Sequence, residues 1–271
     1  GVDTVLVYDF SVLPLFILMG NFVARSGISH DLYEASNAWL GHFKGGLAMA
    51  TIVACGGFSA VCGSSLATVA TMSKVAIPSM QKYGYDERLA PGAVAAGGTL
   101  GILIPPSVAL VFYGIMTETD IGALFAAGVI PGLLGILLYA GAVAVMTRIN
   151  PELGPPGEKL PWRARVNALR GIWGMLLLFM IVMGGIYGGI FTPTEAAGIG
   201  AFGAFIIALL RRRLTVKITL DALAETGRTT AMLLALLIGA LLFANFISVA
   251  RVPSEIADWF ESINVAPLTV V

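Results

Sequence analysis

Long apolar runs dominate the chain, covering about residues 10–24, 47–80, 92–115, 121–146, 172–190, 194–210 and 230–249. A soluble domain interrupts its apolar stretches at helical or strand period. These runs instead approach or exceed the ~20 residues a helix needs to cross roughly 30 Å of hydrocarbon. The pattern therefore predicts an all-α polytopic membrane protein. Two runs depart from a plain span. Run 47–80 is too long for one crossing and carries Gly56-Gly57 and then Gly63-Ser64-Ser65 near its middle. It reads either as one long tilted helix or as a re-entrant hairpin with its tip at Gly63–Ser65 and both ends open to the cytoplasm. Run 92–115 places Gly97, Gly98 and Gly101 just ahead of Pro105-Pro106, which predicts a helix broken inside the membrane.

Composition agrees with the pattern: 57% of residues are hydrophobic and 12% charged. The 16 basic and 16 acidic residues cancel, which argues against a nucleic-acid partner. Cys55 and Cys62 match no zinc or redox spacing and read as small buried thiols. The distribution of charge matters more than its sum. Loop Thr147–Arg170 holds Arg148, Lys159, Arg163, Arg165 and Arg170, and loop Arg211–Thr229 holds Arg211, Arg212, Arg213, Lys217 and Arg228. The positive-inside rule makes both cytoplasmic. The segment between them then crosses twice, turning outside near Gly189–Glu195, and the short Thr117–Gly122 and Arg251–Glu261 loops fall outside. With a hairpin at 47–80, Arg251 is the only basic residue outside; with a span there, Arg25 and Lys44 join it. Length and the central Gly-Ser cluster favour the hairpin, since non-helical backbone survives at membrane depth where it lines a cavity.

Leu18-Met19-Gly20-Asn21-Phe22-Val23 and Leu242-Phe243-Ala244-Asn245-Phe246-Ile247 are alike and run in opposite directions in this topology. Inverted repeats of this kind are common in secondary transporters. The chain has no initiating Met, and Val265–Val271 looks like the start of another apolar run. It is therefore expected to be part of a longer protein, with the partner of the 47–80 hairpin beyond Val271.

Broken helices offer particular chemistry. Carbonyls freed by Pro105 and Pro106, together with hydroxyls, suit a small hard cation such as Na⁺, while half-helix N-termini suit an anion. The candidate cation ligands are Ser64, Ser65 and Thr68 at the tip, with Gly98, Thr99 and Gly101 at the break. The candidate substrate contacts are Gly63, Pro105, Pro106 and Ser107. Other motifs lead elsewhere. Gly198-Ile199-Gly200-Ala201-Phe202-Gly203 has nucleotide-loop spacing but lies within an apolar helix with no preceding strand. Gly184-Gly185 and Gly188-Gly189 have the spacing of a close helix contact. Glu195 after Thr192-Pro193-Thr194 reads as a capping carboxylate. His30 and His42 read as interfacial residues in the amphipathic stretch before the hairpin. No His accompanies Ser64 or Ser65 at bilayer depth, which argues against an intramembrane serine protease.

Several segments recur in a recognisable order: Gly45-Gly46-Leu47, Gly63-Ser64-Ser65-Leu66-Ala67-Thr68, Ile77-Pro78-Ser79-Met80 with Gly84-Tyr85-Asp86, Ile104-Pro105-Pro106-Ser107, Leu124-Phe125-Ala126-Ala127-Gly128 with Pro131-Gly132, and Gly189-Ile190-Phe191-Thr192-Pro193-Thr194-Glu195-Ala196-Ala197. Together, from about Leu15 to Asp258, the chain resembles the large membrane (M) subunit of tripartite ATP-independent periplasmic (TRAP) transporters. The resemblance implies a Na⁺-driven symporter of organic anions, dicarboxylate or sialic-acid-like, in the bacterial inner membrane. It implies a small membrane subunit (Q) and a periplasmic substrate-binding protein as partners, no enzymatic activity, and no cofactor beyond Na⁺ as coupling ion. It also implies an elevator architecture, in which 1–46 holds the first helix and a cytoplasmic amphipathic stretch. Residues 47–120 are then part of the transport domain, with the hairpin at 47–80 and the broken helix at 92–115. Residues 121–229 include scaffold helices and the two basic loops, and 230–271 begin a second repeat. Family members often carry an acidic residue at the position of Thr68 and Ser at that of Cys62, so the cation here is expected to rely on neutral oxygens. The alternatives are a stand-alone elevator permease without a binding protein and, from another class, a membrane enzyme or scaffold.

Overall fold

The computed structural model describes residues 11–256. The apolar run from Val265 and the last part of the Arg251–Glu261 loop lie outside the described residues. The described residues are helical throughout, with no strand among them. Helix α1 (Val12–Arg25) bends by 65° into α2 (Ile28–Leu40). The amphipathic stretch of the sequence is thus a helix, and it buries Ile28, Leu32, Tyr33, Ala35 and Ala38 along one face.

Run 47–80 forms two helices, α3 (Gly46–Cys62) and α4 (Ser65–Lys82), which fold back on each other at Gly63-Ser64. Ser59 Oγ and Thr68 Oγ1 lie 3.5 Å apart near the turn, and Thr51 Oγ1 lies 4.0 Å from Met80 Sδ far from it. Those two contacts are possible only if the arms run antiparallel, so a single tilted helix is excluded. At the open end the Leu47 N–H donates to the Tyr85 hydroxyl at 3.0 Å. Both arms end against the first basic loop: Gly45 N–H donates to the Gly154 carbonyl (2.9 Å), Asp86 N–H to the Leu153 carbonyl (3.0 Å) and the Thr147 hydroxyl to the Lys44 carbonyl (3.1 Å).

Run 92–115 is interrupted as its prolines require. Helix α5 (Leu89–Thr99) tightens into a 3₁₀ turn over Leu100–Ile102, loses helical geometry through the cis Pro105-Pro106 bond, and resumes as α6 (Val108–Thr117). The Ile102 carbonyl would take its helical hydrogen bond from residue 106, a proline with no N–H to give. The Ser107 hydroxyl donates to it instead, at 2.9 Å.

The long helix α7 (Ile121–Ile149) packs along this assembly, with Ile136 against Gly56, Ile104 against Gly132 and the Leu103 carbonyl against Gly128. Part of the first basic loop is helical: α8 (Trp162–Leu169) continues through a 3₁₀ turn into α9 (Trp173–Tyr187). Trp39 holds α8 in place, meeting Trp162 edge-on at 5.3 Å and donating from Nε1 to the Arg165 carbonyl at 3.3 Å. Helix α10 (Pro193–Leu210) opens with a reciprocal cap: the Glu195 N–H donates to Thr192 Oγ1, and the Glu195 carboxylate accepts from the Thr192 N–H. The nucleotide-like glycines lie inside α10.

Helix α11 (Val216–Val249) starts inside what the charge pattern marks as the second basic loop. Its first turns are held by burial and pairing that a composition window does not register: Ala222 is fully buried, and Asn21 Nδ2 donates to Thr226 Oγ1 at 2.9 Å. Four helical segments are long and apolar enough to cross a membrane, namely Ile121–Ile149, Trp162–Tyr187, Pro193–Leu210 and Val216–Val249. The bent α1–α2 pair gives a fifth if it counts as one span. The chain is a multi-pass membrane protein. Among the described residues it divides into two compact units: the one reaching to Gly227 contains the hairpin and the broken helix, and the other starts at Arg228.

Candidate ion and substrate site

The hairpin tip is seated on the helix break. Gly63 has φ of +64°, a left-handed conformation that glycine adopts without strain. A side chain there would also meet the Pro106 carbonyl, at 2.6 Å from an ideal Cβ. The Gly63 carbonyl accepts from the Val108 N–H at 3.2 Å, so tip and break share a hydrogen bond. Across the same seam an ideal Cβ on Gly101 would lie 2.8–2.9 Å from the backbone of Ser64 and Ser65. The two main chains touch because Gly101 has no side chain.

Four helix ends converge here. Helices α3 and α5, with its 3₁₀ turn, finish at Cys62 and Ile102, while α4 and α6 begin at Ser65 and Val108 with Ser64 and Ser107 as caps. Ser59 and Leu100 still accept from the N–H groups of Gly63 and Ile104, but beyond them the helical ladders of the first pair stop, and the N-termini of the second pair each carry roughly half a positive charge. Carbonyl oxygens and partial positive charge therefore occupy one seam. The seam lies within the molecule's helical span, because the neighbouring contacts on α7 fall at Gly128 and Gly132, well inside Ile121–Ile149.

The structure treats the individual candidates differently. Ser65 Oγ is buried and has no hydrogen-bond partner. Ser64 Oγ accepts from the Ala67 N–H at 3.4 Å. The Thr68 hydroxyl is fully buried and donates to the Ser64 carbonyl at 2.8 Å. Ser107, also fully buried, donates to Ile102 and accepts weakly from the Leu110 N–H, which makes it a cap and a repair of the break. Gly98 lies against Val69 of α4, and Gly101 lies at the seam itself. Pro105 and Pro106 are both buried in the break. Thr99 is not brought to the tip: it is exposed, donates to the Ala96 carbonyl at 2.7 Å and meets the Tyr139 hydroxyl at 3.2 Å.

Two neighbours of the site were not singled out by sequence reasoning. Ser59 backs Thr68, and its only signal was a hydroxyl one helical turn before Gly63. Gly20 of α1 lies against the Cys62 carbonyl, where an ideal Cβ would come within 2.5 Å. Gly20 lies in the repeated Leu18–Val23 motif, so the repeat was a usable signal. Both cysteines are buried free thiols, as read from the sequence.

A family profile described as the DctM component of tripartite ATP-independent periplasmic transporters matches residues 2–271. The chain belongs to this family. It is 39% identical over 262 residues to a C4-dicarboxylate TRAP transporter large permease protein of Pseudomonas aeruginosa, a match covering 96% of this chain and 61% of that protein. A protein of the same description from Rhodobacter capsulatus is 36% identical, with 93% and 60% covered. A sialic acid TRAP transporter large permease protein of Vibrio cholerae is 32% identical, with 100% and 62% covered. The chain thus spans about three fifths of the length of these three curated relatives. Those relatives are described as permeases, not as enzymes.

Proposed function

We propose that the protein containing this chain is the large permease subunit of a Na⁺-coupled organic-anion importer in the bacterial inner membrane, with a C4-dicarboxylate as the first substrate class to test. It works with a small membrane subunit and receives substrate from a periplasmic binding protein. The hairpin is re-entrant, with both arms opening to the cytoplasm, and the tip and break belong to a moving elevator domain. The observation that carries this reading is the seam itself, where two helix N-termini and two C-termini meet at Ser64-Ser65, and where the buried Ser65 hydroxyl has no partner. A buried hydroxyl without a partner is costly, and a cation ligand position accounts for it. Family membership supports the partners, and the names of the relatives support the substrate class.

The test is uptake of labelled succinate into vesicles holding the full permease with its small subunit, supplied with the binding protein. Uptake is expected to need both an inward Na⁺ gradient and the binding protein. Ser65→Ala is expected to raise the Na⁺ concentration for half-activation about ten-fold, the equivalent of one ordinary ligand interaction. Uptake without Na⁺ dependence would remove the coupling. Uptake without the binding protein would favour a stand-alone permease.

A further inference from the structure

Lys74 is a positive charge on the hairpin, level with the middle of the long apolar helix α7. The cross-contacts Thr51–Met80 and Ser59–Thr68 fix the register of the two arms and place Lys74 of α4 level with Ala54–Cys55 of α3. The next residue, Gly56, packs on Ile136, the middle of the 29-residue helix α7. Lys74 therefore lies well away from both ends of α7.

It is also exposed, and the ion pairs among the described residues are Arg25–Glu225 and Arg211–Asp31, so no carboxylate there neutralises it. A charged side chain at this depth faces water or a partner and marks a functional path by default. The surface around it has the same character. Below Leu66 at the tip, the exposed positions of α4 are Ala70, Lys74, Pro78, Gln81 and Lys82, with Thr71, Ser73, Val75 and Ile77 half-buried beside them. By contrast, the exposed face of α7 is built from Ile130, Leu133, Leu134, Leu137 and Leu138, which is what contact with lipid requires. Below Leu66, the exposed α4 residues carry no large apolar side chain, and neither they nor the Lys74 charge suit hydrocarbon.

We infer that the outer face of α4 lines a water-filled path between the site at Gly63–Ser65 and the cytoplasm, and that Lys74 is an anion-binding group on that path. A carboxylate leaving the seam meets the Lys74 ammonium about ten residues, or roughly 15 Å, below the tip. The ligand class is a small organic carboxylate, and the role is to draw it off the site on the cytoplasmic side. This inference rests on the permease reading above.

The experiment uses the full permease complex in membranes with the cytoplasmic face outward. An amine-reactive, membrane-impermeant reagent is applied with and without succinate, and modified lysines are identified by mass spectrometry. Lys74 is expected to be modified and to be protected by succinate, whereas Lys82 at the hairpin's open end is modified without protection. Lys74→Gln is expected to raise the cytoplasmic succinate concentration that half-inhibits uptake about five-fold, as loss of one charge contact in a hydrated site would. Lys74→Arg should stay within about two-fold of wild type. An unmodified Lys74 beside a modified Lys82 would overturn the inference and show that another protein segment covers this face. Should Lys74→Gln fail to assemble, labelling of the native lysine still decides. A wild-type complex that transports, with Lys74→Gln unaltered in succinate inhibition, overturns this inference alone. A wild-type complex that moves no organic anion overturns the permease reading with it.

Discussion

Gly101 and Ser107 show how much of the site depends on single atoms. Adding one methyl at Gly101 sets a carbon 2.8–2.9 Å from main-chain atoms of Ser64 and Ser65, which have no flexible end to move aside. Gly101→Ala is expected to cost about 1–3 kcal/mol, as overpacking does, and to part the tip from the break. A lowered melting temperature of the purified complex, together with lost Na⁺ dependence of uptake, would check it; an unchanged melting temperature would count against the close approach. Ser107→Ala leaves the Ile102 carbonyl without its donor in the break, for an expected loss of about 1 kcal/mol. Ser107→Thr keeps the hydroxyl and should recover most of it in the same melting experiment. The residue types at both positions were visible in the sequence, but their roles were not. Ser107 stood there as a substrate contact, whereas its hydroxyl is engaged in repairing the helix. Thr68 already has its proton committed to the Ser64 carbonyl.

At the scale of elements, the hairpin and the broken helix could be read in advance because their causes are local. Proline has no N–H, and a run too long for one crossing must tilt or turn back. The direction of the turn is tested by labelling: Gln81→Cys is expected to react with an impermeant thiol reagent from the cytoplasmic side only. Reaction from the periplasmic side would mean that α4 crosses the membrane. Less legible was the start of α11, hidden in a basic stretch and held by a polar tie to α1. Asn21 donates to Thr226, and Arg25 lies 2.5 Å from the Glu225 carboxylate. Asn21→Ala strips a buried partner from Thr226 and is expected to lower stability by about 1–2 kcal/mol, whereas Glu225→Gln, at an exposed pair, should cost under about 1 kcal/mol. Melting temperatures of the two variants, compared side by side, would separate these effects. Helix α8 was hidden in the same way, since its docking through Trp39 depends on a residue more than a hundred positions away.

For the molecule as a whole, one end gathers the basic loops, both hairpin arms and the turn after α2. His42 lies there, and its pKa is lowered by loss of hydration and by the positive charges of Arg165 and Lys159. The folded protein therefore resists taking up a proton that the unfolded chain accepts near pH 6.5. Stability from this source is present above about pH 6.5 and is lost as acid titrates the unfolded chain. His42 is partly exposed, so the effect is small. The drop in melting temperature from pH 7.5 to 5.5 should be less in His42→Gln by on the order of 1 °C. An equal drop in both proteins would show that His42 contributes none of it.

What the sequence determined by itself was the membrane class, the places where helices stop, and the end of the molecule that carries the positive charge. Each follows from properties of a short stretch: its length against the hydrocarbon, its prolines and glycines, its lysines and arginines. Only the tertiary structure decided which oxygens are free. Ser64, Ser65, Thr68, Thr99 and Ser107 are equivalent hydroxyl bearers in one dimension. In the fold four of them bond to nearby groups, and Ser65 alone of the five is buried without a partner. Hydrogen bonds are made to whatever lies within reach, and for these four that is a group three to five residues away, fixed by the helix ends that the fold forms at the tip and the break.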